Sequence, residues 1–296
     1  MADPPAIDVT HVRKTFGAKT ALQDVSFAVP QGAIFGFLGP NGAGKTTTIR
    51  CLMDFIRPSG GSIQIFGMDA HTHSTQLKKQ VGFLASEMQL NGAWTAAEHM
   101  RLAETIRGTT GETARLARLL GLELRPKVKN LSTGNQQKLA IALALIGSPK
   151  LLVMDEPTRG LDPVLQNTVY ELLQNLAKNG STVFFSSHNL SEVQRVCSAV
   201  ALIKDGSIVA EQGMEDIRGA NIHIVSVATR QDLDITEIAR IKNVESVRIE
   251  PHHATVRVTG DINPIMVYFT ARQLTDISVD HASLEDIFLA KYKEHA

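Results

Sequence analysis

The chain has few of the features that mark secreted, membrane-spanning or polyanion-binding proteins. Its 296 residues include two cysteines, one tryptophan and three tyrosines. The low cysteine count suggests a reducing compartment, and Cys51 and Cys197, which lie in apolar helical patterns, are interpreted as small core residues. Lys and Arg together number 30, as do Asp and Glu, so the formal net charge is zero. No overall charge is therefore present to attract nucleic acid or an anionic lipid surface.

Long apolar runs are also missing. No stretch approaches the roughly 18 apolar residues of a membrane span, and no N-terminal apolar stretch indicates a signal peptide. Hydrophobic residues still make up 43% of the chain, which is enough for sizeable cores. A chain of this length allows roughly two domains of about 150 residues each. We therefore expect a two-domain protein that does not itself cross a membrane, so that any action at a membrane needs a partner that supplies the spans.

The most informative feature present is a phosphate-binding loop, which matches G-x-x-x-x-G-K-[ST] at every fixed position. An apolar segment, 33–38, reads as a buried strand before the loop, and residues 47–53 have helical spacing after it. The glycines let the backbone aim N–H groups at a phosphate, and the helix N-terminus adds partial positive charge. A turn that merely joins a strand to a helix rarely has a buried strand before it, a helix after it and Lys-Thr at its end. The loop residues are Gly39, Pro40, Asn41, Gly42, Ala43, Gly44, Lys45 and Thr46.

Within this loop, two side chains are predicted to carry chemistry. Lys45 can reach the β- and γ-phosphates of a nucleotide, and the Thr46 hydroxyl can ligate Mg²⁺, a hard ion that prefers oxygen ligands. Farther along, residues 151–154 form an apolar run that ends at Asp155 and Glu156. Such a run predicts a buried strand that delivers carboxylates at its C-terminal edge. Asp155 is predicted to hold Mg²⁺, directly or through water, and Glu156 to polarise an attacking water.

A third segment, 131–138, precedes an apolar helical run. Ser132 is a good N-cap residue, and Gly134 leaves the start of the helix uncluttered, so this segment is a second candidate anion site. Taken alone, an ordinary capped helix is the simpler interpretation. One chain does not need two such sites for one nucleotide, unless the second serves the nucleotide of another subunit.

These motifs resemble those of ATP-binding cassette (ABC) ATPases, in the order that this family uses, over about residues 5–217. Residues 39–47, which include Thr47, resemble the Walker A loop, and 151–156 resemble Walker B with its catalytic glutamate. Residues 131–138 resemble the signature motif, with Thr133 where glycine is usual and Asn135 where glutamine is frequent. Residues 160–163, which contain Asp162, resemble the D-loop, and 186–188 resemble the segment of the switch histidine, His188.

The resemblance implies an α/β P-loop fold with a mixed sheet and a helical subdomain at about 86–148. It also implies Mg²⁺-dependent hydrolysis of ATP, with Glu156, His188 and Lys45 as catalytic residues. Two copies would pack head to tail as a homodimer with Asp162 at the interface. Each ATP would then lie between the Walker A loop of one chain and Ser132 and Gly134 of the other.

Two further positions carry alternatives. Phe16 stands where the family places an aromatic ring on adenine; a core phenylalanine is the alternative, and the polar residues and glycine around Phe16 favour stacking. Ser86 stands where the family usually has the Q-loop glutamine, and Glu87 follows it. The ungapped alignment favours Ser86 as a contact to Mg²⁺ or water. Glu87 in that role after a one-residue shift, or a loop that serves only as a hinge, remains open.

The patterns place a linker at 214–221, which divides a nucleotide-binding domain (1–217) from a small domain (218–296). Residues 222–296 read as βαββαβ followed by a helix, which predicts a ferredoxin-like α+β domain. The tail at 282–289 resembles the ending of ATPase subunits in type-2 ABC exporters. Its apolar stripe serves either core packing or a contact with a dimer or membrane partner.

The resulting expectation is the ATP-hydrolysing subunit of an ABC exporter, cytoplasmic and peripheral on the inner face of the cell membrane, bound to integral membrane permease subunits. The alternative is a soluble ABC ATPase of translation or repair. That class usually has two cassettes in one chain or a long coiled-coil insertion, and the neutral charge also disfavours nucleic acid. A nucleotide sensor that barely hydrolyses is a third possibility, which Glu156 and His188 oppose. The transported substrate is not visible, because its path lies in the permease.

Overall fold

A ten-stranded mixed sheet organises the first of two units into which the chain divides, Met1–Gln212 and Gly213–Ala296. The computed structural model describes residues 3–214, 222–230 and 233–281. The strands of the first unit are β1 (Ile7–Phe16), β2 (Lys19–Val29), β3 (Ile34–Leu38), β4 (Gly60–Ile65), β5 (Met68–Asp69), β6 (Val81–Leu84), β7 (Leu151–Asp155), β8 (Thr182–Ser187), β9 (Ala199–Lys204) and β10 (Ser207–Gly213).

The helices of this unit lie between those strands in chain order. They are α1 (Lys45–Leu52), α2 (Ser74–Lys78), α3 (Ala96–Arg107), α4 (Glu112–Leu120), α5 (Thr133–Leu145), α6 (Pro163–Lys178) and α7 (Leu190–Val196), with a 3₁₀ turn at Val128–Asn130. The stretch between β6 and β7 is therefore mostly helical, as the sequence predicts. Its first helix starts at a capping box formed by Thr95 and Glu98 and ends at Gly108, whose φ of 65° lies in the left-handed region.

The strand order is β5-β4-β1-β2-β10-β9-β3-β8-β7-β6. Parallel pairing joins β3 to both β8 and β9, and joins β7 to both β8 and β6. Antiparallel pairing joins β1 to β2 and β4, and β4 to β5. Every residue of β3, β7 and β8 is buried, which explains why β3 and the first four residues of β7 read as continuous apolar runs rather than alternating ones.

The neighbouring strands β3, β8 and β7 all end at the same edge of the sheet. In the register of the pairs, Leu38 lies beside Ser187, and Ser186 lies beside Asp155. Because parallel strands present their carboxyl ends together, the loops that follow them converge. The topology thus brings the phosphate loop, the acidic pair and the switch histidine segment to one place.

Four of the chain's few aromatic residues form the centre of the main core. The Phe184 ring centroid lies 5.6 Å from that of Phe27, 5.5 Å from that of Phe37 and 6.0 Å from that of Phe35. All four side chains are almost fully buried, and their contacts join β2, β3 and β8. Cys51 and Cys197 are buried, as the sequence predicts, and burial raises the pKa of the Cys51 thiol to about 11.

The second unit contains β11 (Ile222–Thr229), α8 (Ile235–Ala239), β12 (Val244–Glu250), β13 (His253–Thr259), α9 (Asn263–Thr270) and β14 (Leu274–His281). Its sheet has the order β12-β13-β11-β14, and all three pairings are antiparallel. This βαββαβ arrangement is the predicted ferredoxin-like fold. Ile238 of α8 and Phe269 of α9 pack with strand residues such as Val225 in a separate core. The predicted tail helix and the 282–289 segment lie outside the described residues.

Among the residues that the structure describes, none of the helices combines the length and the hydropathy that crossing a bilayer requires.

We expect Phe184→Ala to lower the free energy of unfolding of the first unit by about 3–5 kcal/mol, because it leaves a cavity among three other rings. Urea unfolding followed by circular dichroism measures this change. Ile106→Ala is the matched control, since Ile106 is 75% exposed, and should cost less than about 0.5 kcal/mol. Equal losses in the two variants would contradict the assignment of the aromatic cluster as the centre of the core.

Candidate active site

The phosphate loop adopts a backbone that only glycine accommodates at several positions. Gly42 and Gly44 have φ angles of 82° and 113°, in the left-handed region. A Cβ at Gly39 would lie 2.4 Å from the Ile203 carbonyl oxygen, so this residue must also be glycine. Helix α1 begins at Lys45 without a side-chain cap, which leaves the first N–H groups of the helix for a ligand.

Lys45 is only 5% exposed and is held by the loop that it closes. Its ammonium donates hydrogen bonds to the carbonyl oxygens of Gly39 (2.6 Å) and Pro40 (3.1 Å) and lies 3.8 Å from Glu156 Oε1. Burial lowers the pKa of Lys45, and the carboxylates of Glu156 and Asp155 oppose that shift. A cation this desolvated gains strongly from an additional anion such as a phosphate.

Asp155 joins the phosphate loop to β8. Its carboxylate is 2% exposed and accepts the Thr46 hydroxyl at 2.8 Å on Oδ2 and the Ser186 hydroxyl at 2.5 Å on Oδ1. A carboxylate and a threonine hydroxyl side by side are hard oxygen donors of the kind that Mg²⁺ takes, in ones and twos, from proteins. The donor chemistry therefore fits the ion that the sequence predicts here.

Glu156 and His188 form a contact at the mouth of the same site. Glu156 Oε1 lies 3.2 Å from His188 Nδ1. The Glu156 backbone has a φ of 52°, which is uncommon outside glycine and, where it occurs, clusters at functional sites. The Glu156 N–H donates to both the carbonyl and the hydroxyl oxygen of Ser186, at 3.3 Å and 3.1 Å, and these bonds hold the unusual conformation.

A cavity of about 470 Å³ is lined by Lys45, Thr46 and Glu156 of this site, whereas Asp155 and His188 are not among its lining residues. Its walls include residues that the sequence analysis missed, from the start of β2 and from the tight turn between β9 and β10. Gly206 in that turn donates its N–H to the Ala43 carbonyl at 2.9 Å, so the turn is tied to the phosphate loop. The lining residues are Lys19, Thr20, Ala21, Gln23, Asn41, Gly42, Gly44, Lys45, Thr46, Thr47, Glu156, Asp205 and Gly206.

Known proteins are similar to this chain in sequence. A family model described as ABC transporter matches residues 22–159, and one described as AAA domain, putative AbiEii toxin, Type IV TA system matches residues 127–193. The bacitracin transport ATP-binding protein BcrA of Bacillus licheniformis is 35% identical over 298 residues, which cover 96% of this chain and 96% of that protein. The chain belongs to the ABC transporter ATP-binding protein family. The Nod factor export ATP-binding protein I of Paraburkholderia xenovorans (strain LB400) is 31% identical over 301 residues, with 96% of each chain covered.

Solved structures agree with this ABC assignment. One described as the ATP binding subunit of an ABC transporter has a TM-score of 0.67 and 29% identity, over 72% of this chain and 92% of that one. A dimeric cassette in a post-hydrolysis state, bound to ADP and Pi, has a TM-score of 0.65 at 24% identity, over 70% and 98% of the two chains, and shows the fold. The predicted family, fold class and ATPase function are confirmed, and the translation or repair alternative is not favoured. The chain is the ATP-binding subunit of an ABC transporter.

Several of the residues predicted for the ABC site lie away from the cavity wall. Ser132 caps α5 by accepting the Asn135 N–H at 3.3 Å and is itself exposed. A Cβ added at Gly134 would meet no atom of the described residues within 4 Å. Asp162 accepts the N–H groups of Val164 (3.0 Å) and Leu165 (2.9 Å) as the N-cap of α6.

Phe16 and the Q-loop residues Ser86 and Glu87 also lie outside the cavity lining. Phe16 is 49% exposed, and the Lys14 ammonium lies 4.9 Å from the centroid of its ring. It pairs across the β1–β2 hairpin with Lys19, which does line the cavity. Ser86, which is half-buried, and Glu87, which is exposed, follow β6 and are not among the lining residues. The roles predicted for Phe16, Ser86 and Glu87 stay predictions.

Proposed function

We propose that this ABC subunit drives export by ATP-dependent closure of a head-to-tail homodimer. The observation that carries the proposal is that the predicted site residues of one chain lie in two separate places. Lys45, Asp155, Glu156 and His188 meet at one edge of the sheet. In the signature segment, Ser132 and Thr133 are exposed, and the described residues leave open space for a Cβ at Gly134. The name of the Nod factor export relative supports export as the direction of transport.

The proposed reaction places the ATP phosphates in the cradle of backbone N–H groups from residues 39–47. Lys45 neutralises the β- and γ-phosphates, and Glu156 accepts a hydrogen bond from the attacking water and orients it. His188, already in contact with Glu156, contacts the γ-phosphate. Thr46 and Asp155 would hold Mg²⁺, which when bound supplies charge neutralisation at the phosphates. Preorganised charge in a desolvated site supplies most of the acceleration.

In the proposed dimer, Ser132 and Gly134 contact the γ-phosphate of the nucleotide bound by the partner. The start of α5 suits this role, because its N–H groups carry partial positive charge and its cap Ser132 and first residue Thr133 are exposed. Asp162 lies at the interface and Phe16 stacks on adenine. The γ-phosphate, which is present only before hydrolysis, stabilises the closed pair, so hydrolysis allows the pair to open.

The domain division belongs to the same proposal. Residues 1–217 act as the nucleotide-binding domain, with a helical subdomain at about 86–148, and 218–296 form a small accessory domain. We place the protein at the inner face of the cell membrane, attached to integral permease subunits that supply the path of the substrate. A permease that purifies with the chain from a detergent extract tests this location, and a ribosome or DNA in its place would contradict it.

Glu156→Gln should keep ATP binding and reduce turnover about 10²–10⁴-fold, because it removes the group that orients water and leaves Lys45 and Asp155 in place. The variant should also accumulate as an ATP-bound dimer with doubled mass on a sizing column. Glu171→Gln, at an exposed position of α6, is the matched control and should behave as the parent. Near-normal turnover in Glu156→Gln would rule out Glu156 as the base.

Mixing two inactive variants tests the shared site. Gly134→Asp adds a negative charge where the described residues leave space for a Cβ, so a loss of ATPase in the folded variant is expected to come from the nucleotide of the partner, and Gly134→Ala is its control. Lys45→Ala removes the phosphate contact. When equal amounts of Lys45→Ala and Gly134→Asp chains pair at random, half of the dimers are mixed, and each mixed dimer has one intact site of two. The mixture should therefore recover up to about a quarter of parental ATPase activity. If both variants are folded and no mixing ratio restores activity, the signature segment does not act in trans.

Titration of Mg²⁺ distinguishes Ser86 from Glu87. If Ser86 contacts the ion, Ser86→Ala should raise the Mg²⁺ concentration for half-maximal ATPase rate only about twofold, because Thr46 and Asp155 still provide oxygen ligands. Glu87→Ala should then match the parent. The reverse pattern would assign the role to Glu87. Parental titrations for both variants, together with lost stimulation by the permease, would show that the loop acts only as a hinge.

A further inference from the structure

A buried carboxylate on α7 takes no part in the proposed reaction. Glu192 of α7 is 6% exposed, and hydroxyl groups from three different segments donate to it. Thr158 and Tyr170 donate to Oε1, the latter at 2.9 Å, and Ser187 donates to Oε2 at 2.5 Å. Hydrogen bonds to a charged acceptor are about twice as strong as those between neutral groups, so this cluster is a rigid junction.

Two of the three partners are near neighbours of the proposed reacting groups. Thr158 follows Glu156 by two residues, and Ser187 directly precedes His188. The Ser187 hydroxyl also accepts the Asn189 N–H at 2.9 Å, so the backbone is fixed on both sides of His188. One carboxylate therefore ties together the two segments whose side chains meet at 3.2 Å in the contact between Glu156 and His188.

Tyr170 donates to the same oxygen of Glu192 as Thr158 does. Burial, followed by the negative charge of Glu192, raises the pKa of Tyr170, which keeps its hydroxyl protonated and able to donate. Tyr170 lies in the middle of α6 and adjoins none of the proposed reacting residues. Its hydrogen bond shares Oε1 with that of Thr158, whereas Ser187, which adjoins His188, donates to Oε2. Loss of the Tyr170 hydroxyl therefore leaves both bonds that lead to the site.

We propose that Glu192 is a positioning residue that holds His188, through Ser187, in the geometry needed for ATP hydrolysis. The inference rests on the proposed role of His188. It predicts a selective defect, because the Gly39 N–H of the phosphate loop bonds the Ser187 backbone carbonyl at 3.2 Å, a contact that a change in the Glu192 side chain leaves in place. Nucleotide binding should therefore persist.

The test compares kcat and ATP affinity of the full chain in four variants: Glu192→Gln, His188→Ala, the combination of the two, and Tyr170→Phe. Glu192→Gln should leave the Kd for ATP within about twofold and lower kcat about tenfold or more, since small misplacements of a reacting group cost up to about a hundredfold. In the His188→Ala background, Glu192→Gln should lower kcat no further. Tyr170→Phe is the matched control, since it removes one hydroxyl from the same carboxylate, and should keep kcat within about twofold of the parent.

The outcomes separate this inference from the proposed function. If His188→Ala is slow and Glu192→Gln has normal turnover, the positioning role alone is overturned. The same holds if the kcat losses of the two single variants multiply in the double variant. An unaffected His188→Ala enzyme overturns the proposed role of His188, and the positioning role with it. If Glu192→Gln fails to fold, Ser187→Ala takes its place in the same comparison, because it removes the bond to Oε2 and the bond from Asn189 together. Normal turnover of Ser187→Ala would then refute the inference.

Discussion

The Asp155 carboxylate joins the parts on which the rest of the site depends. It lies at the end of β7 and accepts one hydroxyl from the first turn of α1 and another from the end of β8. A carboxylate that is 2% exposed needs such partners, because an unpaired buried charge is costly. The two hydrogen bonds therefore fix the phosphate loop relative to the strands that carry Glu156 and His188, and the same oxygens are those that a hard divalent ion prefers.

The backbone at Glu156 explains how two successive carboxylates serve one site. In a regular strand, the side chains of Asp155 and Glu156 would point to opposite faces of the sheet. The left-handed φ of 52° at Glu156 ends this alternation, and its carboxylate comes within 3.8 Å of the Lys45 ammonium. The strain is balanced by the two hydrogen bonds from the Glu156 N–H to Ser186. Ser186 thus supports both carboxylates, through its hydroxyl and through its carbonyl.

Much of the fold and the centre of the site could be predicted from local sequence patterns. The apolar runs of β3 and β7 indicate buried parallel strands. The phosphate loop and the acidic pair that follow these strands are therefore expected to meet at one edge of the sheet. The alternation from residue 222 onward predicts the ferredoxin-like order of the second unit. These predictions succeed because each depends on neighbours in the sequence, or on one rule for parallel strands.

Other parts of the site depend on pairings that sequence patterns do not reveal. Gln23 and Asp205 are 182 residues apart, and they meet because β2 lies next to β10 in the sheet, where the Gln23 amide donates to the Asp205 carbonyl at 2.9 Å. Glu192 likewise reads as an ordinary polar residue of a short helix, and only the tertiary structure reveals its burial. Phe16 and Ser86 could not be decided because their predicted partners are a nucleotide and an ion, and neither residue lines the cavity.

The same distant contacts bear on how two shared sites would communicate. In the proposed dimer, α5 faces the nucleotide of the partner, and its Gln137 donates a hydrogen bond at 2.9 Å to the carbonyl of Pro157, next to Glu156 in its own chain. Thr158 follows Pro157 directly and donates to Glu192, whose other oxygen accepts the hydroxyl of Ser187 beside His188. The start of α5 is thus joined to both proposed reacting groups by side-chain hydrogen bonds within one chain. Any displacement of α5 by the partner's γ-phosphate must either strain these bonds or move Glu156 and His188 with it, and this constraint would make hydrolysis at one site sensitive to the nucleotide in the other.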